Sequence, residues 1–357
     1  MTDKDATVRA YREGDETEIN RLFNEVFSEA RSLPEWQWKF KENPVGVLMI
    51  AVAEAGGMIV GHYASMPFHF QYLDRVIKVA VPVDNFVHPA YRGRLSILKS
   101  IYEHQARLWD HVAGFGFPRE AYAVVGRRIL KYRPLTKMPV LFRRLNVYLA
   151  AKNYMPWLGD NLLAIIRHAS NVAFTALVRM RSVSSPRDIR IRVAEGFDTR
   201  FDELWERIRH SQRIMCVRDR RFLEWRFRRP GCSYRIVVAE KNGRLSGYAV
   251  TGLKREAGVA GGYIADLITD GSPGVAAALV KRALLELLAQ RADYATCWML
   301  PDKPDYRALL QLGFATKEQA FPPVNLVFQC FDAQAVDLNI LQDPASWFLT
   351  MADSDVF

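Results

Sequence analysis

The chain has 357 residues, half of them hydrophobic, with a formal net charge of +10 and an isoelectric point near 9.5. This length predicts two domains of about 150 residues each, and the hydrophobic content excludes global disorder. The positive charge favours an anionic partner, which could be a phosphorylated cofactor, a nucleic acid or an acidic membrane surface, and it does not choose among them.

The cysteines and the N-terminus indicate a cytoplasmic protein. Cys216, Cys232, Cys297 and Cys330 form no CxxC pair and no short spacing typical of metal ligands, so we expect reduced structural thiols. The N-terminus is too charged for a secretory signal. No run of 18 apolar residues occurs, so the sequence predicts no membrane span.

The first half predicts a strand, a helix and a hairpin before the stretch around which it is organised. The hairpin strands, residues 47–54 and 58–66, are joined by the turn residues Ala55-Gly56-Gly57. The stretch from Val81 to Ser100 then begins as a buried strand. It passes through a basic turn, Tyr91-Arg92-Gly93-Arg94, into a helix predicted to reach about residue 113.

This strand, turn and helix could hold a phosphate group. A helix N-terminus offers unpaired N–H groups and partial positive charge, and Arg92 and Arg94 add full charges. The alternative is an ordinary connection with two solvated arginines. The stretch alone leaves both interpretations open.

The second half repeats the first. Trp38-Lys39-Phe40 corresponds to Trp225-Arg226-Phe227, 187 positions later, and Val52-Ala53-Glu54 corresponds to Val238-Ala239-Glu240, 186 positions later. Offsets that hold over this distance predict a duplicated α/β unit. We therefore predict an N-terminal domain at residues 1–150, a helical linker at 151–188, a C-terminal domain at 189–332 and a tail at 333–357.

The linker and the tail each carry an apolar signal. Residues 160–181 predict an apolar helix that packs on one or both domains, with a membrane-surface helix as the weaker alternative. The tail contains Trp347 and Phe348 beside acidic residues. An aromatic pair in a polar tail predicts that the tail is docked on the protein.

The order of elements resembles that of the GCN5-related N-acetyltransferase (GNAT) fold. VDNFVHPAYRGR, residues 83–94, resembles the family's fourth strand and its pyrophosphate-binding turn, and ALLQLGF, residues 308–314, resembles its closing Leu-Gly-Phe element. The likeness covers both halves and is similar to tandem GNAT proteins, including those found with bacterial surface-polysaccharide genes. It implies an α/β protein with two tandem GNAT-like domains, each a mixed, mostly antiparallel sheet flanked by helices.

The resemblance implies acetyl-CoA as co-substrate and no metal. The backbone N–H of Phe86 or of Val87 would polarise the thioester, and the residues of the turn would bind the pyrophosphate, namely Arg92, Gly93, Arg94, Leu95 and Ser96. Leu95 and Ile97 depart from the family, which favours small residues there so that the backbone can approach the cofactor or adopt φ > 0. The second copy has Asp270 and no basic residue in its turn, which predicts a degenerate site.

Four side chains are candidates for proton transfer. Asp84 is the first choice for the base that frees the amine of its proton and Glu54 the second, each with a structural role as the alternative. Tyr122 and Tyr132 are substitutes for the tyrosine that the family uses as proton donor, with ordinary packing as their alternative. The histidines show no metal-ligand spacing.

The hypothesis that follows is an acetyl-CoA-dependent N-acetyltransferase acting on a primary amine, with an amino sugar of cell-surface glycan assembly as one acceptor. Dense arginines beside both clefts favour an anionic acceptor, such as a nucleotide- or lipid-linked amino sugar, and lack the basic–aromatic pattern of nucleic-acid binding. A catalytically silent scaffold, and a transferase using acyl carrier protein or aminoacyl-tRNA, are the alternatives. Contact with a membrane surface is a further possible partner interaction.

Overall fold

A computed structural model describes residues 6–181 and 188–356. The strands are β1 (Thr7–Ala10), β2 (Met49–Ala55), β3 (Met58–Tyr72), β4 (Arg75–Val87), β5 (Ala113–Gly116), β6 (Arg133–Met138), β7 (Val140–Arg144), β8 (Ile189–Ala194), β9 (Ile214–Cys216), β10 (Tyr234–Lys241), β11 (Arg244–Glu256), β12 (Val259–Thr269), β13 (Tyr294–Trp298), β14 (Ala315–Thr316), β15 (Val324–Cys330) and β16 (Trp347–Phe348). The helices are α1 (Asp15–Phe27), α2 (Leu33–Phe40), α3 (Leu95–Gln105), α4 (Glu120–Ile129), α5 (Tyr148–Tyr154), α6 (Asp160–Met180), α7 (Thr199–Ile208), α8 (Arg220–Arg226), α9 (Val275–Ala289), α10 (Tyr306–Gln311) and α11 (Leu338–Gln342).

The strands form two sheets. The first has the order β1-β2-β3-β4-β5-β15-β6, with β9 beside one end of β3 and β16 beside β9. The second has the order β14-β7-β13-β12-β11-β10-β8. Most neighbours are antiparallel, and β4–β5 and β12–β13 are parallel. The predicted class, two mixed and mostly antiparallel sheets flanked by helices, is confirmed.

Each half of the chain contributes a strand to the interior of the other half's sheet, in addition to β9 and β16 at the periphery of the first sheet. β15, from the second half, lies between β5 and β6 of the first sheet. β7, from the first half, lies between β13 and β14 of the second. The two sheets are therefore interlocked, and neither is complete without the other half of the chain.

A tryptophan pair marks the relation between the two copies. The Trp38 and Trp225 rings stack with centroids 5.4 Å apart and an angle of 18° between their planes. Each indole N–H donates to the other residue's backbone carbonyl, at 2.7 and 2.8 Å. Because equivalent residues of the two copies contact each other reciprocally, the halves are related by an approximate two-fold axis at this pair.

Some predicted elements differ from the structure. The helix after the basic turn ends at Gln105 rather than near 113, and the following residues form β5, whose sequence Ala-Gly-Phe-Gly lacks the β-branched residues that indicate a strand. The strand predicted at 140–149 ends at Arg144 and is followed by α5. The predicted linker helix is α6, and the tail is docked, with Trp347 fully buried.

Candidate functional site

A cleft opens between β4 and β5 in the first sheet. The two strands pair only at Val79–Ala113 and Ala80–Gly114. Beyond Ala80 this edge of β4 has no partner strand within the described parts of the chain. A bulge then interrupts the β3–β4 ladder, where Asp84 takes the left-handed conformation (φ 53°). Bulges bend a strand and re-aim its backbone groups, so β4 turns away from β5 where an extended ligand could enter.

The basic turn lies at the end of this opening. A short 3₁₀ turn, Pro89–Tyr91, leads to Gly93, whose φ of 89° a side chain would disfavour. The turn's left-handed residue is thus a glycine, and neither Leu95 nor Ile97 has a positive φ. Ile97 is buried over β3, whereas Leu95 is exposed at the first residue of α3. Of the two residues predicted to hinder approach of the cofactor, only Leu95 has a side chain exposed at the turn.

Asp84, the first choice for the base, is buried in an ion-pair cluster. Its carboxylate contacts the Arg31 guanidinium, and its Oδ1 accepts a hydrogen bond from Lys39 Nζ at 2.7 Å. Burial alone would raise the pKa of this carboxyl, but the charges of Lys39 and Arg31 outweigh it and hold the pKa below its ordinary value. A carboxylate in this state has low proton affinity, which suits an anchor of the bulge better than a base.

The cluster extends to the docked tail. Lys39 Nζ also donates to Asp355 Oδ2 at 2.8 Å, and Arg31 Nε donates to Asn20 Oδ1 at 2.7 Å. The Arg31 guanidinium lies 3.6 Å from the centroid of the Phe23 ring. Helices α1 and α2, the bulge and the tail are therefore held together by one charge network at the cleft.

His62 on β3 completes the network. Its Nδ1 lies 2.6 Å from the Asp84 carbonyl oxygen, and because a carbonyl can only accept, Nδ1 carries the proton. The ring is fully buried and its Nε2 has no hydrogen-bond partner. Burial lowers the pKa of His62 to about 4, because a charged imidazolium would lose its hydration beside Arg31 and Lys39.

We expect this histidine to make the fold sensitive to mild acid. Its folded pKa of about 4 lies below the unfolded value of about 6.5, so its contribution is complete above pH 6.5 and is lost as the pH falls toward 4, by up to roughly 3 kcal/mol. Chemical unfolding of the wild type and of His62→Asn across this range measures it. The variant should lose less stability than the wild type as the pH falls, and parallel curves would contradict the assignment.

Glu54, the second choice for the base, lies on β2, two strands away from β4 in the sheet order. It accepts a hydrogen bond from Arg9 Nε at 2.8 Å, and Arg9 also contacts Asp15. The corresponding residue of the second half, Glu240, pairs with Arg192 and Arg200 in the same way. The recurrence of this pair in both copies favours the structural alternative for Glu54.

Tyr122 and Tyr132 belong to a group of buried phenols on the α3–α4 side of the first sheet. The Tyr132 hydroxyl lies 3.0 Å from the Tyr63 hydroxyl. Burial, followed by the neighbouring Tyr132, raises the pKa of Tyr122, whose environment includes Asn85 of β4. Both candidates therefore stay protonated at neutral pH, Tyr122 beside Asn85 of β4 and Tyr132 beside Tyr63 of β3.

Several residues of this site carried no signal in the sequence. Gln329, on the exchanged strand β15, donates to the Tyr102 hydroxyl at 3.1 Å and to the Leu130 carbonyl. It lies 227 and 199 residues from them in the chain, so no local pattern could place it there. Lys39 could have been noticed, because it aligns with Arg226, a cation in the duplicated copy.

The second copy builds a related cluster that the tail fills. Asp266, the counterpart of Asp84, contacts Arg218 Nε at 3.0 Å, and Arg218 Nη2 contacts Asp353 of the tail at 2.8 Å. Thr350 Oγ1 donates to Asp266 at 2.8 Å. All of these side chains are buried, and burial raises the pKa of the Asp266 carboxyl. The tail thus covers the bulge of the second copy.

Metal ligation finds no support at either cluster. Within residues 6–181 and 188–356, no group of three His, Cys, Asp or Glu side chains is placed to hold a metal ion.

Comparison with known proteins finds a family match in the first half of the chain. Residues 7–123 match the family model described as "Acetyltransferase (GNAT) domain". No curated protein matches the sequence.

Solved structures share the fold across nearly the whole chain. A GCN5-related N-acetyltransferase from Anabaena variabilis is 9% identical, covering 92% of this chain and 73% of its own, with a TM-score of 0.61. One from Kribbella flavida is 15% identical, covering 93% and 72%, with a TM-score of 0.59. N-myristoyltransferase from Saccharomyces cerevisiae with bound myristoyl-CoA is 13% identical, covering 92% and 83%, with a TM-score of 0.56. At these identities the likeness shows the fold.

Proposed function

We propose that this chain, whose residues 7–123 match the family model for the GNAT acetyltransferase domain, is an acyl-CoA-dependent N-acyltransferase whose working site is the cleft of the first half. The observation that carries the proposal is that β4 separates from β5 beyond Ala80, next to the glycine-containing turn that precedes α3. Acetyl-CoA is the proposed co-substrate, a primary amine the acceptor and the cytoplasm the location.

In the proposed reaction the amine nitrogen attacks the thioester carbonyl carbon. A C–N bond forms, the C–S bond breaks and the thiolate leaves with the electron pair. The backbone N–H of Val87 would stabilise the oxyanion, because His88 N–H donates to Val60 of β3 and the preceding N–H therefore points to the open edge of β4. A fixed donor aimed at developing charge lowers the barrier. Tyr122, or Tyr132 through its neighbours, would donate a proton to the thiolate, since both phenols remain protonated. The proton that the attacking nitrogen loses as the amide forms would return through water to the tyrosinate.

Asp84 is assigned a positioning role in this scheme. Its carboxylate is paired with Arg31 and Lys39, so it fixes the bulge that positions the Val87 N–H group. The proton of the incoming ammonium would then pass to water in the cleft. The second copy, whose bulge is covered by the tail and whose turn carries Asp270, is proposed not to bind the cofactor.

The acceptor is proposed to be anionic. Arg127 and Arg128 are exposed at the end of α4, and a guanidinium matches phosphate oxygens in pairs. A nucleotide- or lipid-linked amino sugar of surface glycan assembly combines the required amine and phosphate.

Binding of acetyl-CoA tests the function, with Arg92→Gln as the diagnostic variant. Arg92 is exposed at the turn, and loss of one charge-assisted contact to the pyrophosphate should weaken binding roughly tenfold. Isothermal titration calorimetry measures this. Arg244→Gln, an equally exposed arginine on the hairpin of the second copy, is the matched control and should leave the affinity unchanged.

Two outcomes would overturn the proposal. One is the absence of heat and of any thermal shift with acetyl-CoA, because a ligand at about 100 times its Kd stabilises the folded state by about 2.7 kcal/mol. That result would favour the silent scaffold. The other is a loss of affinity in Arg244→Gln equal to that in Arg92→Gln, which would place the cofactor elsewhere or make its binding non-specific.

A further inference from the structure

Helix α6 presents a long apolar face that nothing in the described chain covers. The exposed residues along it are Leu162, Ala164, Ile165, Ala169, Val172, Ala173, Ala176, Leu177 and Met180. Between Asn161 and Val178 the titratable residue on the exposed face is His168. Ile165 is 63% exposed and Met180 is 72% exposed. Apolar patches of this extent on a protein surface mark a binding surface.

The opposite face of α6 is fixed to the second half. Leu163 and Val178 are buried, and Arg167 forms two hydrogen bonds to the fully buried Asp293, at 2.8 and 2.6 Å. Lys281 of α9 donates to the Arg179 and Arg181 carbonyls at the end of the helix. By length and composition α6 could cross a membrane, but these contacts hold it flat on the protein.

Aromatic and basic side chains flank the apolar face. Tyr154 is 84% exposed and Trp157 is 78% exposed just before α6, and such rings favour the boundary between lipid tails and headgroups. Arg179 and Arg181 are exposed at the other end of the helix, and Lys152 precedes the aromatic pair. No acidic residue lies on the exposed face between Asp160 and Arg179.

A cationic cavity of 550 Å³ adjoins this face. Arg167, His168, Arg255 and Arg291 line it together with the acid Asp160. Arg167 is paired with Asp293, and Arg255 donates to the Gln290 carbonyl. The cavity shares His168 with the rim of the apolar face, so an anionic headgroup could occupy it while acyl chains contact α6.

We propose that α6 and the residues before it form a docking surface for an anionic phospholipid bilayer, with the helix lying in the headgroup region. An apolar face between basic ends is the arrangement that gains both burial in lipid and attraction to acidic headgroups. The charge distribution favours a membrane over a second copy of the chain, because two identical basic rims would repel each other. This inference does not depend on acyl transfer.

Vesicle flotation of the full chain tests the proposal. The wild type should float with phosphatidylcholine vesicles containing roughly 30% phosphatidylglycerol, should stay behind with pure phosphatidylcholine, and should be released at high salt. Ile165→Glu/Leu177→Glu should lower the bound fraction at least about tenfold. Met58→Glu, which changes an equally exposed apolar residue of the first sheet, is the matched control and should float like the wild type.

Three results would overturn it. Flotation with neither vesicle, or equal flotation of the wild type and Ile165→Glu/Leu177→Glu, removes α6 as a lipid surface. A wild-type dimer in sedimentation velocity that the same double variant dissociates assigns the face to a second copy. Arg255→Gln/Arg291→Gln probes the cavity separately, and unchanged binding to anionic vesicles would remove the headgroup site.

Discussion

Replacing Asp84 with alanine is expected to lower the free energy of unfolding by about 3–5 kcal/mol, because it leaves buried Arg31 without its carboxylate and buried Lys39 with Asp355 alone. Arg31 and Lys39 are each less than a tenth exposed, so water cannot take the place of the carboxylate. Urea unfolding at neutral pH measures the loss. Since the folded pKa of Asp84 lies below its unfolded value, this stabilisation is present above about pH 4 and is lost as the pH falls further.

Glu54→Ala is the matched control for this prediction. Its ion pair with Arg9 is partly solvated, so its removal should cost about 1 kcal/mol or less. An Asp84→Ala loss no larger than that of Glu54→Ala would contradict the buried-anchor assignment.

A second substitution of Asp84 distinguishes a structural anchor from a catalytic base. Asp84→Asn, assayed where the variant is folded, should retain acetyl transfer within about tenfold if Asp84 positions the bulge, whereas loss of a general base costs about 10²–10⁴-fold. A drop in kcat of the larger size with unchanged acetyl-CoA affinity would restore Asp84 as the base.

Separating the two halves of the chain is expected to abolish folding of each. A chain cut between residues 181 and 188 yields a first piece lacking β15 and a second piece lacking β7. Each piece alone has a gap in its sheet. Each also exposes one tryptophan of the Trp38–Trp225 pair, which is stacked on the other in the intact chain. We expect aggregation of either piece expressed alone, because unpaired strand edges and apolar surface promote it.

Co-expression of the pieces provides the control. Together they contain every strand and should co-purify as a one-to-one complex whose circular dichroism matches that of the intact chain. A first piece that is monomeric and unfolds cooperatively on its own would show that β15 is dispensable, and would contradict the role of strand exchange.

The sequence predicted those features that repeat or are local. The 187-residue offset of the tryptophan elements predicted the duplication, and the tryptophans turned out to contact each other across the approximate two-fold axis. The basic turn, the hairpin and α6 followed from turn residues and apolar spacing. The fold class could be predicted from the sequence because each copy carries the same pattern of elements.

The exchange of strands and the partners of Asp84 could not be predicted. β7 and β15 have the composition of strands that would suit either sheet, and nothing in five to seven residues says which edge they join. The sequence could not identify the partners of Asp84, because Arg31 and Lys39 come from 53 and 45 residues away and Asp355 from the far end of the chain. Contacts of this range depend on the assembled fold.

The late position of the exchanged strand β15 in the chain also delays folding of the first sheet during synthesis. The first sheet has β1 to β6 once residue 138 has been made, but the strand that joins β5 to β6 begins at Val324. At about 5–20 residues per second, the nascent chain waits roughly 10–40 s with the edges of β5 and β6 unfilled. The N-terminal half thus cannot finish folding while the ribosome is still making the rest. Translation speed and early chaperone contact, rather than final stability, are then expected to limit the yield of native protein.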